Sequence, residues 1–165
     1  MESELFTIDT GHLIGKEQIE TAGRNEATRD LCRAYLESGM RLLAKRSMEL
    51  ACEHIEEAIR LARDNDDCLG EGAGLSRLGN VLYHWEDIDQ ALNYYEQALH
   101  IARQTGGRRA EGYILFNMSL ARNALHDRVR AIEHAEAALE VLEQLDDVGA
   151  AHVRAQLAQW QGADP

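Results

Sequence analysis

The sequence predicts an all-α fold, a stack of three helical hairpins closed by a C-terminal capping helix. Three observations lead there. The chain matches itself at an offset of 40 residues, apolar positions within each copy recur every three or four residues, and short polar turns interrupt that spacing near the middle of each copy. The spacing of three and four belongs to helix, so each copy is a pair of helices.

The register of the copies can be read directly. Ala51, Ile55 and Ala58 fall on Ala91, Tyr95 and Ala98, and then on Ala131, Ala135 and Ala138. Upstream, Tyr35, Gly39 and Leu42 fall on Leu75, Gly79 and Leu82, and then on Leu115, Ser119 and Arg122. Small residues at Gly79, Ala91 and Ala98 let two helices approach closely, while Leu75, Leu78, Leu82 and Tyr95 fill the space beside them. The turns fall at Lys45 to Ser47, Glu86–Asp87 and His126–Asp127, with Asp87 and Asp127 as N-caps and Ser47 in register with them. Gly106, after Thr105, suits the left-handed closure of a helix. The expected helices run over 25–44, 48–64, 71–85, 88–105, 109–125, 128–145 and 148–161. In the last of these Val153, Leu157 and Trp160 are placed to pack, and Arg154, Gln156 and Gln159 to face water, as a cap on an open stack requires.

Composition narrows the function. The chain has 165 residues, a net charge of −12 and a pI near 4.9, a balance that disfavours nucleic acid as a partner. No apolar run approaches the roughly 18 residues of a membrane span. The opening "MESELFTID" has neither a basic nor an apolar leader region, so a cytoplasmic setting is expected. Cys32, Cys52 and Cys68 are odd in number and form no C-x-x-C pair, which fits buried thiols in a reducing compartment. The acids Asp64, Asp66, Asp67, Asp146 and Asp147 read as solvated loop charge.

Motifs for chemistry fail individually. "GHLIGKE" at Gly11–Glu17 has three residues between its glycines where a phosphate loop has four, and Glu17 where that loop has Ser or Thr. No H-E-x-x-H occurs, and no histidine stands three residues after a glutamate, so zinc and di-iron helices find no support. His54 and His134 occupy equivalent places with Tyr94 between them, and read as tiles of a half-exposed surface. Asn117-Met118-Ser119 is a glycosylation sequon inside a packed helix. No spacing suggests an activated Ser or Cys. The expectation is a chain that is not an enzyme and needs no cofactor or metal.

The run Leu75-x2-Leu78-Gly79-x2-Leu82 followed by Ala91-x3-Tyr95-x2-Ala98 resembles the tetratricopeptide repeat, whose consensus is W-x2-L-G-x2-Y and then A-x3-F. The likeness covers about 31–161, strongest in the second copy and weakest in the third, where Ser119 replaces the glycine and Arg122 the aromatic. The 40-residue period exceeds the usual one of about 34, and the proline that often follows the second helix is absent, Pro165 being the only proline. In its longer repeat, and in "RLGNVLY", the chain is similar to spindle-orientation scaffolds of the LGN/Pins type and to bacterial regulatory proteins with this repeat, a resemblance that implies a right-handed superhelical stack. The resemblance implies repeats at 31–70, 71–110 and 111–147, a capping helix at 148–161 and a tail at 162–165.

It also implies a concave groove lined by the first helix of each pair, which would hold a protein or peptide partner. Carried over by register, the groove face comprises Arg33, Leu36, Met40 and Leu43, then Ala73, Ser76, Asn80 and Tyr83, then Tyr113, Phe116, Leu120 and Asn123. Seven of the twelve are large and apolar, which suits an amphipathic helix or an extended apolar segment, with Tyr83, Tyr113 and Phe116 as anchors. Arg33 is the only basic residue among them, which disfavours the tail carboxylates held by the family's co-chaperones. Residues 1–24 lie outside the repeat register but carry Leu5, Phe6, Ile8, Leu13, Ile14 and Ile19. They are expected to form an arm, with a short helix in "GKEQIETAG", that folds onto the groove, onto a second protomer in a homo-oligomeric scaffold, or onto another protein.

Overall fold

Seven helices follow one another along the chain, α1 (Lys16–Ala44), α2 (Met48–Asp64), α3 (Cys68–His84), α4 (Ile88–Gln104), α5 (Arg108–Ala124), α6 (Arg128–Gln144) and α7 (Gly149–Gln161). This computed structural model describes the backbone of residues 5–7 and 13–162 and the side chains of 25–162. Two three-residue strands, β1 (Leu5–Thr7) and β2 (Leu13–Gly15), pair antiparallel with Phe6 opposite Ile14, and β2 leads straight into α1. Consecutive helices pack on each other as α1·α2, α3·α4 and α5·α6 hairpins, and α7 packs on α6. The architecture is an all-α helical repeat stack.

The pitch is set by turns that are alike throughout. Helices α2 to α6 have 17 residues each, and three residues separate each from the next. The middle residue of every turn has positive φ: Arg46, Asp66, Glu86, Gly106, His126 and Asp146, between 49° and 70°. Each turn also makes the same pair of backbone bonds. The Ser47 amide donates to the Leu42 carbonyl at 3.0 Å and the Arg46 amide to the Leu43 carbonyl at 2.9 Å, and the arrangement recurs through Asp147 to Leu142 and Asp146 to Glu143. This is the Schellman closure, which satisfies helix-end carbonyls that would otherwise lack partners.

The third turn residue opens the next helix. Asp67, Asp87 and Asp127 accept from the backbone amides of Gly70, Gln90 and Arg130 at 3.1, 3.3 and 3.2 Å. Ser47 shares the position but makes no side-chain cap bond. Asp67 therefore belongs to helix capping and not to loop solvation, and it starts α3 three residues before the expected position, drawing Gly70 into the helix. Asp147 is a second correction of that kind, since its carboxylate accepts from the Gly149 amide at 2.9 Å. The largest boundary difference is α1, which begins at Lys16 and absorbs the segment expected to be a separate short helix before residue 25.

Each hairpin crosses at one close contact. A Cβ on Gly39 would lie 2.5 Å from Ile55 Cγ1, and one on Gly79 would lie 2.6 Å from Tyr95 Cε1. The equivalent pair in the third hairpin is Ser119 with Ala135, both fully buried. The serine that breaks the repeat pattern thus faces a small partner, and its hydroxyl is satisfied by the Phe116 carbonyl at 2.6 Å. Around these crossings Ala51, Ala58, Ala91, Ala98, Ala131 and Ala138 have no exposed surface.

Ion pairs join one hairpin to the next in repeat register. Arg63 meets Glu71 at 2.7 Å, and Arg103 meets Glu111 at 2.9 Å. Glu111 is buried and also takes Arg108 at 2.5 Å. Burial alone would raise its carboxyl, but the two guanidiniums outweigh it and hold the group below its ordinary value. At the third junction Glu143 and Ala151 stand where that pair would be, and Arg154–Glu143 and Arg109–Asp147 take its place. The three cysteines are unpaired. Cys32 is buried and donates to the Ala58 carbonyl, and burial raises its thiol.

Two substitutions test these constraints. Glu86→Gly should raise stability by about 0.5–1 kcal/mol, because a side chain at positive φ costs about 1–2 kcal/mol and the extra freedom of glycine returns only part of it. Thermal or urea unfolding reads the change, and a loss of stability would show that the turn is not strained. Gly79→Ser should lose about 1–3 kcal/mol from the clash with the Tyr95 ring. The same substitution in a Tyr95→Ala background, which recreates the Ser119/Ala135 pair, should cost close to nothing; equal costs in both backgrounds would overturn the assignment of Tyr95 as the opposing group.

Candidate functional site

A cleft of about 520 Å³ opens between α3 and α5, with the C-terminal half of α4 beneath it and Met40 of α1 at one end. Its walls follow from helix periodicity. Ala73, Ser76, Arg77 and Asn80 form one stripe of α3, and Ala110, Tyr113, Ile114 and Asn117 the facing stripe of α5. Ile101 and Ala102 of α4 make an apolar floor.

Polar groups are few and ordered. The Asn80 Oδ1 accepts from the Tyr95 hydroxyl at 2.7 Å and from Asn117 Nδ2 at 3.0 Å, so it ties the crossing inside one hairpin to the wall of the next. Burial raises the Tyr95 hydroxyl, which stays protonated as the donor in that bond. Asn80 Nδ2 and Asn117 Oδ1 have no hydrogen-bond partner among the described residues. At the far wall the Tyr113 hydroxyl donates to Asp147 Oδ1 at 2.7 Å, while Arg109 Nε reaches Asp147 Oδ2 at the same distance. The Tyr113 bond, the Gly149 amide and Arg109 together hold the Asp147 carboxyl below its usual range. One carboxylate thereby fixes both a cleft residue and the start of α7.

The expected groove residues divide into three groups. Met40, Asn80 and Tyr113 line the cleft together. Leu43, Tyr83, Leu120 and Asn123 are half-buried outside it; Leu43 lines a separate hollow near the α1–α2 turn, and Tyr83 stacks edge-on against His84. Leu36 and Phe116 are 5% and 6% exposed, and they belong to the core. Phe116 packs edge-on against His152 of α7 at 5.3 Å, so the capping helix covers the ring that was expected to be an anchor. Arg33 is exposed and paired with Asp30. Arg77 and Asn117, absent from the expected face, line the cleft instead. The reason is geometric: an inward stripe includes the i+4 position, and Arg77 stands at i+4 from Ala73 as Asn117 does from Tyr113.

The histidines expected to tile a surface are not brought together. His54 bonds to the Ser38 hydroxyl at 3.0 Å, and His134 to the Arg130 carbonyl at 2.7 Å. No group of His, Cys, Asp and Glu suited to a metal ion occurs among the described residues. No described helix is long and apolar enough to cross a membrane.

The sequence profile of the tetratricopeptide repeat matches residues 30–104, from the second half of α1 to the end of α4. Residues 30–104 are tetratricopeptide repeats. Solved structures agree on the fold. The apo form of RapI superimposes with a TM-score of 0.74 at 12% identity, over 82% of this chain and 38% of that one. The repeat domain of Arabidopsis FLU gives 0.64 at 18% identity, over 71% of this chain and 98% of that one. A repeat protein of Chlorobium tepidum gives 0.64 at 16% identity, over 82% and 97%. The chain thus spans well under half of RapI and nearly all of the other two. No curated protein sequence matches it. Such repeats form protein-interaction modules, which is the broad class in which this fold places the chain.

The Asp147 contacts give a direct test. In the native chain the Asp147 carboxyl should titrate below the ordinary aspartate value of about 3.9. Tyr113→Phe removes its first hydrogen bond and should move it upward while the Gly149 amide still holds the α7 start. Carboxyl carbon NMR across an acid titration measures both, and an unchanged midpoint would mean that the phenol does not bind this carboxylate in solution.

Proposed function

We propose that the chain is a non-catalytic interaction module that holds an extended segment of a protein partner in the cleft between α3 and α5. The observation that carries this reading is the pair of amides from Asn80 and Asn117, bonded to each other across neighbouring helices and each retaining an unpartnered atom over an apolar floor. A peptide backbone offers both a donor and an acceptor at regular intervals, which is what one free amide N–H and one free amide oxygen would pair with. Side chains of the segment would lie on Met40, Ile101 and Tyr113. A regular helix has its backbone groups already bonded internally, so the amides favour an extended segment over the amphipathic helix. A cytoplasmic location is part of this reading, as is the absence of nucleic acid from its partners, which the net charge of −12 supports.

Ala73 supplies the test, since it is exposed and lines the cleft without serving the core. Ala73→Trp should fill the cleft and leave helicity and melting temperature close to those of the native chain. In selections from a random twelve-residue peptide library displayed on phage, the native chain should enrich binders and Ala73→Trp should lose them by at least about 30-fold, the effect expected when a central contact is removed. Equal enrichment on both, or none on the native chain, would place the function elsewhere.

A further inference from the structure

We infer that the cleft selects partner segments carrying an acidic side chain, and that Arg77 is the residue that selects it. The inference rests on the cleft being the binding site and adds the chemistry of its occupant. The chain holds 29 Asp and Glu against 17 Lys and Arg, yet no carboxylate of the described residues lines the cleft. Among the described residues the single charged side chain on its wall is Arg77.

That arginine differs from the others nearby. Arg29, Arg60, Arg63, Arg103, Arg108 and Arg109 each meet a carboxylate of this chain. Arg77 is half-buried and has no ion pair among the described residues. A guanidinium taken partly out of water without a counter-charge loses hydration that a bound carboxylate restores, through paired and charge-assisted hydrogen bonds. The surroundings strengthen the contact, because among the described residues no acid on the cleft wall competes for the guanidinium, and the apolar floor lowers the local dielectric. Elsewhere the excess of surface acid repels an acidic segment, so a negative occupant is admitted at this one place.

Geometry favours an internal acidic residue over a chain terminus. Arg77 has cleft-lining residues of α3 on both sides of it, Cys68 to Ser76 before and Asn80 after, and Tyr113 and Asn117 of α5 line the facing wall. The amides that would grip a backbone lie beside it, Asn80 three residues further along the same helix. A segment held by Asn80 and Asn117 passes Arg77 with chain continuing on both sides. The occupant is therefore an extended stretch of alternating apolar residues with one Asp or Glu placed opposite Arg77.

The phage selection decides this when the peptides are joined to the coat protein through their C-termini, so that no free terminal carboxylate is offered. The native chain should enrich peptides in which Asp or Glu recurs at one position among apolar neighbours. Arg77→Gln should lose that acidic preference and bind the native consensus at least about tenfold more weakly, as expected for a charged hydrogen bond. Arg77→Lys should keep part of the preference, and Arg41→Gln, outside the cleft, should leave it unchanged; circular dichroism checks that each variant folds. Binding of the selected peptide should also weaken as salt is raised. Enriched peptides without a recurrent acid, or an acidic preference that survives in Arg77→Gln, would overturn the inference while Ala73→Trp still tests the cleft. Enrichment that Ala73→Trp does not abolish, or no enrichment at all, would overturn both.

Discussion

The three-residue turn with one left-handed residue is the constraint on which the rest of the structure depends. It occurs six times, each left-handed residue 20 positions after the last, and so fixes the repeat of one helix to the next at 20 residues from α2 to α6. Since 17 residues of helix extend about 25 Å, helices α2 to α6 share one length. The facing stripes of α3 and α5 therefore lie side by side offset by three residues from the repeat register, and Asn80 comes within 3.0 Å of Asn117, 37 positions away. A turn one residue longer would rotate the following helix by about 100° and carry that face out of the cleft.

The same constraint shows how local and tertiary terms divide the work. Five of the six left-handed positions hold Arg, Asp, Glu or His, residues that carry a steric cost there. The cost is met by the bonds of the closure and by packing of the flanking helices, since the preceding carbonyls are paired in every turn. Close crossings behave similarly. Gly39 and Gly79 leave room for Ile55 and Tyr95, and the third hairpin reaches the same proximity with Ser119 and Ala135 by dividing the volume differently.

Much of the fold was legible in the sequence because packing imposes periodicity. The 40-residue offset located all three hairpins, and Asp87, Asp127 and Gly106 marked helix ends correctly. Asp67 was misread because three glycines follow within seven residues, and a glycine-rich stretch looks like loop until the cap is seen. The strand pair at Leu5–Thr7 and Leu13–Gly15 is too short for alternation to signal it. The expected arm over the groove falls on residues whose side chains lie outside the described ones. The cleft itself was half legible. Met40, Asn80 and Tyr113 were found by register, whereas Leu36 and Phe116 stand one step toward the core on the same helices. A stripe chosen by apolar content selects such residues by construction, and it passes over Arg77 and Asn117 because they are polar.

Helices that pack mainly on their sequence neighbours also shape how the chain folds. Gly79 and Tyr95 are separated by 16 residues, and Arg103 and Glu111 by eight. Loops that short close on the scale of tens of nanoseconds, so neither the crossings nor the hairpin junctions require a slow search for a distant partner. Low contact order of this kind gives folding in microseconds to milliseconds, and nucleation can begin in any hairpin and spread to both sides. The cleft, which needs α3, α4 and α5 together, takes shape only when the second and third hairpins have met.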